Sequence, residues 1–221
     1  MSLILNIDTA AETSLVQLEK NGEVLCSETN PNKMDHAAFI HPTIKRIFDS
    51  TGASASSLDA IAVTEGPGSY TGIRIGMATA KGLCLATGKP LILLNRLFLM
   101  AAAMNVAHPL EDGFYCPMMD ARRMEVFNAV YSSELKEVLS PNAHILSTES
   151  FLNIAEEKPF VVSGSGAEKF LNISSISNVH KLAEPDLSKV FAHWSHSYFL
   201  ESKFSNLVDS QPFYAKDFYI V

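Results

Sequence analysis

Leu3-Ile4-Leu5-Asn6-Ile7-Asp8-Thr9-Ala10 is the stretch on which the fold turns. A leucine and β-branched run of this length, broken by an acid, predicts a buried strand that stops at a turn. Residues 14–19 then alternate, with Leu15 and Gln17 set against Val16 and Leu18. Asn21-Gly22 is a strong two-residue hairpin signal, after which residues 23–28 run back. The opening is strand, turn, strand, hairpin, strand. The same pattern returns further on. Residues 114–119 form an apolar run ending at Asp120, Ala121-Arg122-Arg123 makes a polar turn, and Val126, Asn128 and Val130 alternate with Phe127, Ala129 and Tyr131. Asp8 and Asp120 stand about 112 positions apart, and the match is in pattern, with little identity. It predicts an α/β protein of two related lobes, residues 1–108 and a smaller 109–221. The tail, residues 212–221, is apolar enough to dock, with the first lobe as its expected place.

Asp35 can cap a helix over about 36–50, with Ile40, Ile44, Ile47 and Phe48 on one face and Gly52 as its stop. Pro42 should kink or delay that helix. Residues 60–64 read as a short buried strand feeding a Gly-rich turn and a helix over about 71–87. A strand at 91–94 and a helix over about 96–107 follow. The second half adds a helix near 148–156, a strand at 160–163, Gly164-Ser165-Gly166 opening a further helix, and a helix over 186–199.

The chain has 221 residues, 47% apolar and 19% charged, which excludes bulk disorder. No run reaches the ~18 apolar residues of a membrane span. The first residues lack a basic region and meet an acid too early for a signal peptide. Lys plus Arg number 17 against 24 Asp plus Glu, a net charge of −7. Such a chain is poorly suited to grip a phosphate backbone alone, so any nucleic acid is expected to be held by a partner. Cys26, Cys84 and Cys116 are far apart and fit buried thiols in a reducing cytoplasm.

The densest candidate site is Glu65-Gly66-Pro67-Gly68-Ser69-Tyr70-Thr71-Gly72-Ile73-Arg74-Ile75-Gly76. Strand, glycines, then helix is a layout that lets backbone N–H groups approach a phosphate. It is no Walker A loop, because Gly72-Ile73-Arg74 stands where Gly-Lys-Ser/Thr is needed. It is no dinucleotide fingerprint either, since no acid follows between Gly66 and Leu110. Gly72, Gly76, Ala80 and Cys84 form a stripe of small residues with two readings: packing on a sheet, or a helix–helix contact between chains. Asp8, Thr9, Gly164 and Gly166 are the candidate nucleotide contacts, although the turns after Asp8 and Asp120 lack the glycine that close approach of a phosphate favours. His36 and His41 fall on different helix faces. His193 and His196 could share a metal at i, i+3, but no third ligand suggests itself and a solvated face is the competing reading. Gly164-Ser165-Gly166 is not a nucleophile elbow, and no Ser/His/Asp set stands out.

Ile4-Leu5-Asn6-Ile7-Asp8-Thr9, the Glu65 to Gly76 run, Ala80-Lys81-Gly82-Leu83, Asp120-Ala121-Arg122 with Glu125-Val126-Phe127, and Pro212-x-Tyr214 together resemble the TsaB (YeaZ) family. The resemblance is dense over the first half and sparser over the second. It implies two ribonuclease-H-like lobes of the actin, hexokinase and sugar-kinase (ASKHA) superfamily. It also implies a place in making threonylcarbamoyladenosine at position 37 of tRNA, beside a catalytic paralogue, TsaD, and an ATPase, TsaE. TsaD carries its metal on two histidines four residues apart. Arg96 and Met100 fall at the corresponding positions here, and neither guanidinium nor thioether suits a hard or borderline metal.

The expectation is therefore a non-catalytic, cytoplasmic scaffold with no cofactor, no metal and no membrane contact, reaching tRNA only through the complex. Its surface would be Phe39, Ile40, Ile44, Gly68, Tyr70, Thr71, Gly72, Ile73, Gly76 and Ala80, serving a homodimer when TsaD is absent. A large residue at Gly76 should then abolish association. The rival is an enzyme of the same fold, a metal- or ATP-dependent glycoprotease-like peptidase or phosphotransferase, although the chain has no HExxH.

Overall fold

The structure, a computed structural model, describes residues 1–30, 35–155 and 158–216. Strands β1 (Leu3–Asp8), β2 (Ser14–Lys20), β3 (Glu23–Asn30), β4 (Ala60–Gly66) and β5 (Leu91–Asn95) form one sheet in the order β3-β2-β1-β4-β5. β1 runs antiparallel to β2 and parallel to β4. Strands β6 (Phe114–Asp120), β7 (Glu125–Ser132), β8 (Glu137–Ile145), β9 (Phe160–Ser163) and β10 (Val179–Lys181) form the other, ordered β10-β9-β6-β7-β8. Counted from its own first strand, this sheet repeats the first, with the same antiparallel meander and parallel return. The repeated strand, acid and hairpin are thus two five-stranded mixed sheets of one topology, as the ribonuclease-H-like expectation requires. β8 and β10 are absent from the sequence reading. Pro141 and the polar residues around it disguise β8 as a loop, and Pro is tolerated there because β8 is an edge strand. β10 is only three residues long.

Among the described residues six α-helices follow the same repeat: α1 (His36–Thr51), α2 (Tyr70–Thr87), α3 (Arg96–Ala107), α4 (Leu152–Ala155), α5 (Ala167–Leu171) and α6 (Ser188–Leu200). α1 ends at Gly52 in the left-handed conformation, as expected. Its start differs from expectation. The Asp35 side chain makes no capping bond, and the helix begins at His36 and continues across Pro42 without delay. The buried His36 ring instead bonds Ser14 Oγ through Nδ1.

In the first sheet, Leu5, Ile7, Val16, Leu18, Ile61 and Val63 pack against Ile40, Ile44 and Ile47 of α1 and Met77, Ala80 and Cys84 of α2. The opposite face of β1 and β2 lies under α6, where Gln17 Nε2 donates to the Ser188 carbonyl at 2.9 Å. In the second sheet, Cys116, Met118, Val126 and Val130 meet Phe151, Phe160 and Phe170, whose rings interlock with centroids 5.4–6.2 Å apart.

The division of the chain differs from a cut at residue 108. One unit is Met1–Arg96 with Ser188–Phe213, the other Leu97–Leu187 with residues 214–216. α3 joins the second sheet, where Phe98 stands edge-on to Tyr131 at 5.8 Å and Asn105 Nδ2 donates to the Ser133 carbonyl. α6 and the residues after it as far as Phe213 join the first, whereas the expected docking tail passes to the second unit from Tyr214. Ser205 bridges Leu91, Lys81 Nζ donates to the Ser210 carbonyl, and Phe213 N–H donates to the Glu65 carbonyl at 2.7 Å. Central strands such as β1 and β4 are buried on both faces, and the helix closing each repeat is the one that joins the other repeat's unit. Residues 217–221 of the expected docking tail lie outside the described residues. Among the described residues no helix is long and apolar enough to cross a membrane.

Candidate functional site

Asp8 ends β1 at the position where a cleft carboxylate would be offered to a ligand, yet it is 2% exposed and every oxygen is engaged. Oδ1 accepts from Thr64 Oγ1 at 2.6 Å and from the Ala10 N–H at 3.0 Å. Oδ2 accepts from Arg96 Nε at 3.0 Å. Arg96 is itself 5% exposed, at the first position of α3. A buried carboxylate facing a guanidinium is neutralised in place, and removing either charge would leave the other stranded in a medium of low polarity. Sequence reading marks Arg96 as a lost metal ligand but misses that it becomes the counter-ion of Asp8. The signal was available in part, because a buried strand-end Asp needs a cation and Arg96 directly follows the end of β5.

Thr9 is equally committed: its Oγ1 donates to the Gly72 carbonyl at 2.7 Å. The Gly-rich turn is filled by the chain's own backbone. A Cβ at Gly68 would stand 2.0 Å from the Ala10 carbonyl oxygen, one at Gly72 2.0 Å from that of Thr9, and one at Gly66 2.7 Å from that of Phe213. Ser69 N–H donates to the Ala10 carbonyl, and Ser69 Oγ caps α2 by accepting from Gly72 N. These glycines therefore serve close approach of protein to protein, where a phosphate cradle would leave them open. Burial raises the Glu65 carboxyl above its ordinary value, against a hydrogen bond from Asn95 that lowers it.

The small stripe resolves in favour of sheet packing. Gly76 sits with its Cα hydrogens against Thr9 Oγ1 and the Val63 and Ile7 methyls, while Gly72, Ile73 and Ala80 are buried in the same layer. Ile40 and Ile44 also point into the core. Of the expected contact residues, Tyr70 and Thr71 are exposed and Phe39 and Gly68 half-buried. Arg74 lies over the Tyr70 ring at 3.9 Å. A large residue at Gly76 would break the unit's own packing, so it cannot report on association.

The second repeat also pairs its strand-end carboxylate with a cation, but at the surface, where Asp120 is exposed. Asp120 accepts from Lys169 Nζ at 2.8 Å and from Arg122 N–H at 2.6 Å, while its own N–H donates to Ser165 Oγ. Burial opposes ionisation, but Lys169 and the Arg122 N–H outweigh it and hold the carboxyl below its usual range. Gly164 and Gly166 are wedged against β6: a Cβ on the former would stand 2.4 Å from the Met118 carbonyl oxygen and 2.6 Å from Met100 Cε. Gly166 N–H donates to that same carbonyl, so neither glycine presents a free cradle. Met100 is wholly buried.

The histidines do not converge on an ion. His196 Nδ1 bonds Ser2 Oγ at 2.7 Å and its ring covers Gly22, whereas His193 stands edge-on to Trp194. His41 is exposed. Among the described residues no three His, Cys, Asp or Glu side chains gather to hold a metal. Cys84 and Cys116 are buried free thiols, and burial pushes Cys84 up to about 11; Cys26 is only half-buried.

Comparison with known proteins places the chain in a family. The family model for TsaD, tRNA N6-adenosine threonylcarbamoyltransferase, matches residues 23–193. The tRNA threonylcarbamoyladenosine biosynthesis protein TsaB of Bacillus subtilis is 30% identical over 178 residues, 80% of this chain and 76% of that protein. A Pseudomonas aeruginosa protein described as similar to peptidase YeaZ superposes with a TM-score of 0.83 at 22% identity, over 98% of this chain and all of that one. An activator of 2-hydroxyisocaproyl-CoA dehydratase from Clostridium difficile, solved with bound ADPNP, shares the fold at a TM-score of 0.51 and 11% identity, over 91% and 96% of the two chains. Matched by the TsaD model over more than half its length and 30% identical to a TsaB protein over 80% of it, the chain belongs to the TsaB (YeaZ) branch of the TsaD family.

Proposed function

We propose that this chain is a non-catalytic subunit of the machinery that builds threonylcarbamoyladenosine at position 37 of tRNA, and that it holds TsaD in a competent state. TsaE joins at or near the same contact, and the transfer chemistry belongs to TsaD. The observation that carries this reading is the Asp8–Arg96 pair, in which the carboxylate that would face a metal–phosphate already holds a buried cation. A group so engaged is neutralised in place and shut away from solvent, which makes it a poor ligand for a metal and leaves recognition as the work of the surface. TsaB relatives, named for this biosynthesis, support the pathway.

The proposed contact is the outer side of α1 and α2, through Phe39, Tyr70 and Thr71, with Ile40, Ile44, Gly72, Ile73, Gly76 and Ala80 setting the helices from behind. A homodimer uses the same surface when TsaD is absent, the complex works in the cytoplasm, and tRNA is reached only through the complex. Co-purification with TsaD and TsaE, followed by an assay of threonylcarbamoyladenosine with and without this chain, tests the reading. Thr71→Arg should abolish both complex and product while leaving the unfolding transition unchanged. Product formation that ignores this chain, stoichiometric zinc or iron, or unaided ATP hydrolysis would overturn it in favour of an enzyme.

A further inference from the structure

Two hairpins of this chain each place two consecutive residues at positive φ, with opposite chemistry. In the first they are Asn21 (φ 53°) and Gly22 (φ 86°), the residue types such turns favour. In the second they are Arg122 (φ 71°) and Arg123 (φ 47°), whose Cβ atoms make the conformation costly. The turn itself is held by the Asp120 carboxylate on the Arg122 N–H and by Ala121 N–H donating to the Glu125 carbonyl. Neither guanidinium takes part in holding it. Both arginine side chains are exposed, and among the described residues neither faces a carboxylate partner. The acids beside them are already used, Asp120 by Lys169 and Glu125 by Lys216. Two uncancelled positive charges thus project from one hairpin tip in a chain of net charge −7.

We infer that this tip is a contact for the phosphodiester backbone of RNA. Guanidinium forks match phosphate oxygens two at a time, and Arg is less tightly hydrated than Lys, so it gives up water to an anion at lower cost. The residues on either side of the pair in sequence are Ala121 and the exposed Met124, neither of them aromatic, so the tip would read backbone and not bases. The acidic remainder repels a polyanion, which makes this one steering contact within an assembly whose main grip lies elsewhere. The inference rests on the tRNA role proposed above, and it names a part of this chain that touches the RNA directly.

The test is tRNA binding across a salt series, by the assembly with TsaD and by the chain alone at low salt. Arg122→Gly/Arg123→Gly keeps the backbone of the turn accessible and removes both charges; Arg122→Lys/Arg123→Lys keeps the charge. The glycine pair should weaken binding about tenfold or more and lower the slope of log affinity against log salt by about 1–2, with the lysine pair restoring most of both. An unchanged slope in both preparations overturns the inference. So does loss of TsaD binding with the salt slope intact, which would assign the tip to an acidic protein surface. Failure of the unaltered chain to join TsaD or raise product refutes the proposed function instead, and the slope difference measured on the chain alone still decides the role of the tip.

Discussion

Arg96 and Asp8 lie 88 positions apart and meet at 3.0 Å, both nearly excluded from water. Arg96→Ala should cost about 3–5 kcal/mol in urea unfolding, because the Asp8 charge stays buried without its counter-ion. Asp8→Asn/Arg96→Met should cost clearly less than the two single changes summed, the mark of a coupled pair. Glu19 makes a second prediction at this scale. Its side chain is fully buried, Oε2 accepts from Gly22 N–H at 2.7 Å, and Oε1 has no partner. Burial, with a smaller push from Asp59 and against the Gly22 bond, raises its carboxyl to about 7 from 4.5. The folded state therefore binds this proton more tightly than the unfolded chain does. The stability it brings is complete below about 4.5 and is lost as pH rises through about 7. Glu19→Gln should flatten that decline and stabilise the protein at pH about 8 by ~1–2 kcal/mol, read from denaturant midpoints at several pH values. The sequence marks Asp8 and Arg96 separately and gives no sign of Glu19, because burial and pairing belong to the folded chain.

Elements were the most legible scale. Asn21-Gly22, Gly52 and the run from Glu65 to Gly76 each mark a turn or helix end where the structure has one, since local backbone preferences act wherever the chain goes. β8 escaped because its polar, Pro-containing sequence is tolerated only at a sheet edge. Two glycines of α2 separate propensity from packing. Gly76→Ala would set a Cβ 2.4 Å from Thr9 Oγ1 and should destabilise by about 2–4 kcal/mol as helix and sheet are forced apart. Gly82→Ala has nothing within 4 Å and should gain about 0.5–1 kcal/mol from helix propensity alone. Thermal unfolding of the two variants side by side checks both signs.

At the scale of the whole molecule, the unit holding β1–β5 is completed by Ser188–Phe213. Truncation after Leu187 should strip α6 from the sheet, uncovering Ile4, Ala62 and the polar side chains of Asn6 and Gln17. Such a chain should lose the cooperative transition of the first unit and become protease-sensitive between residues 1 and 96, with the aromatic core of the second unit retaining its protection in limited proteolysis. The sequence by itself determined the duplicated architecture, because hydrophobic period and turn chemistry are local and recur in both halves. Only the tertiary structure decided that α3 and α6 change places between the repeats, that the small stripe faces inward, and that Asp8 and Asp120 are each silenced by a cation. Those outcomes depend on which distant side chains the fold brings together, in a dehydrated space for Asp8 and at the surface for Asp120, and a linear chain does not carry that distance.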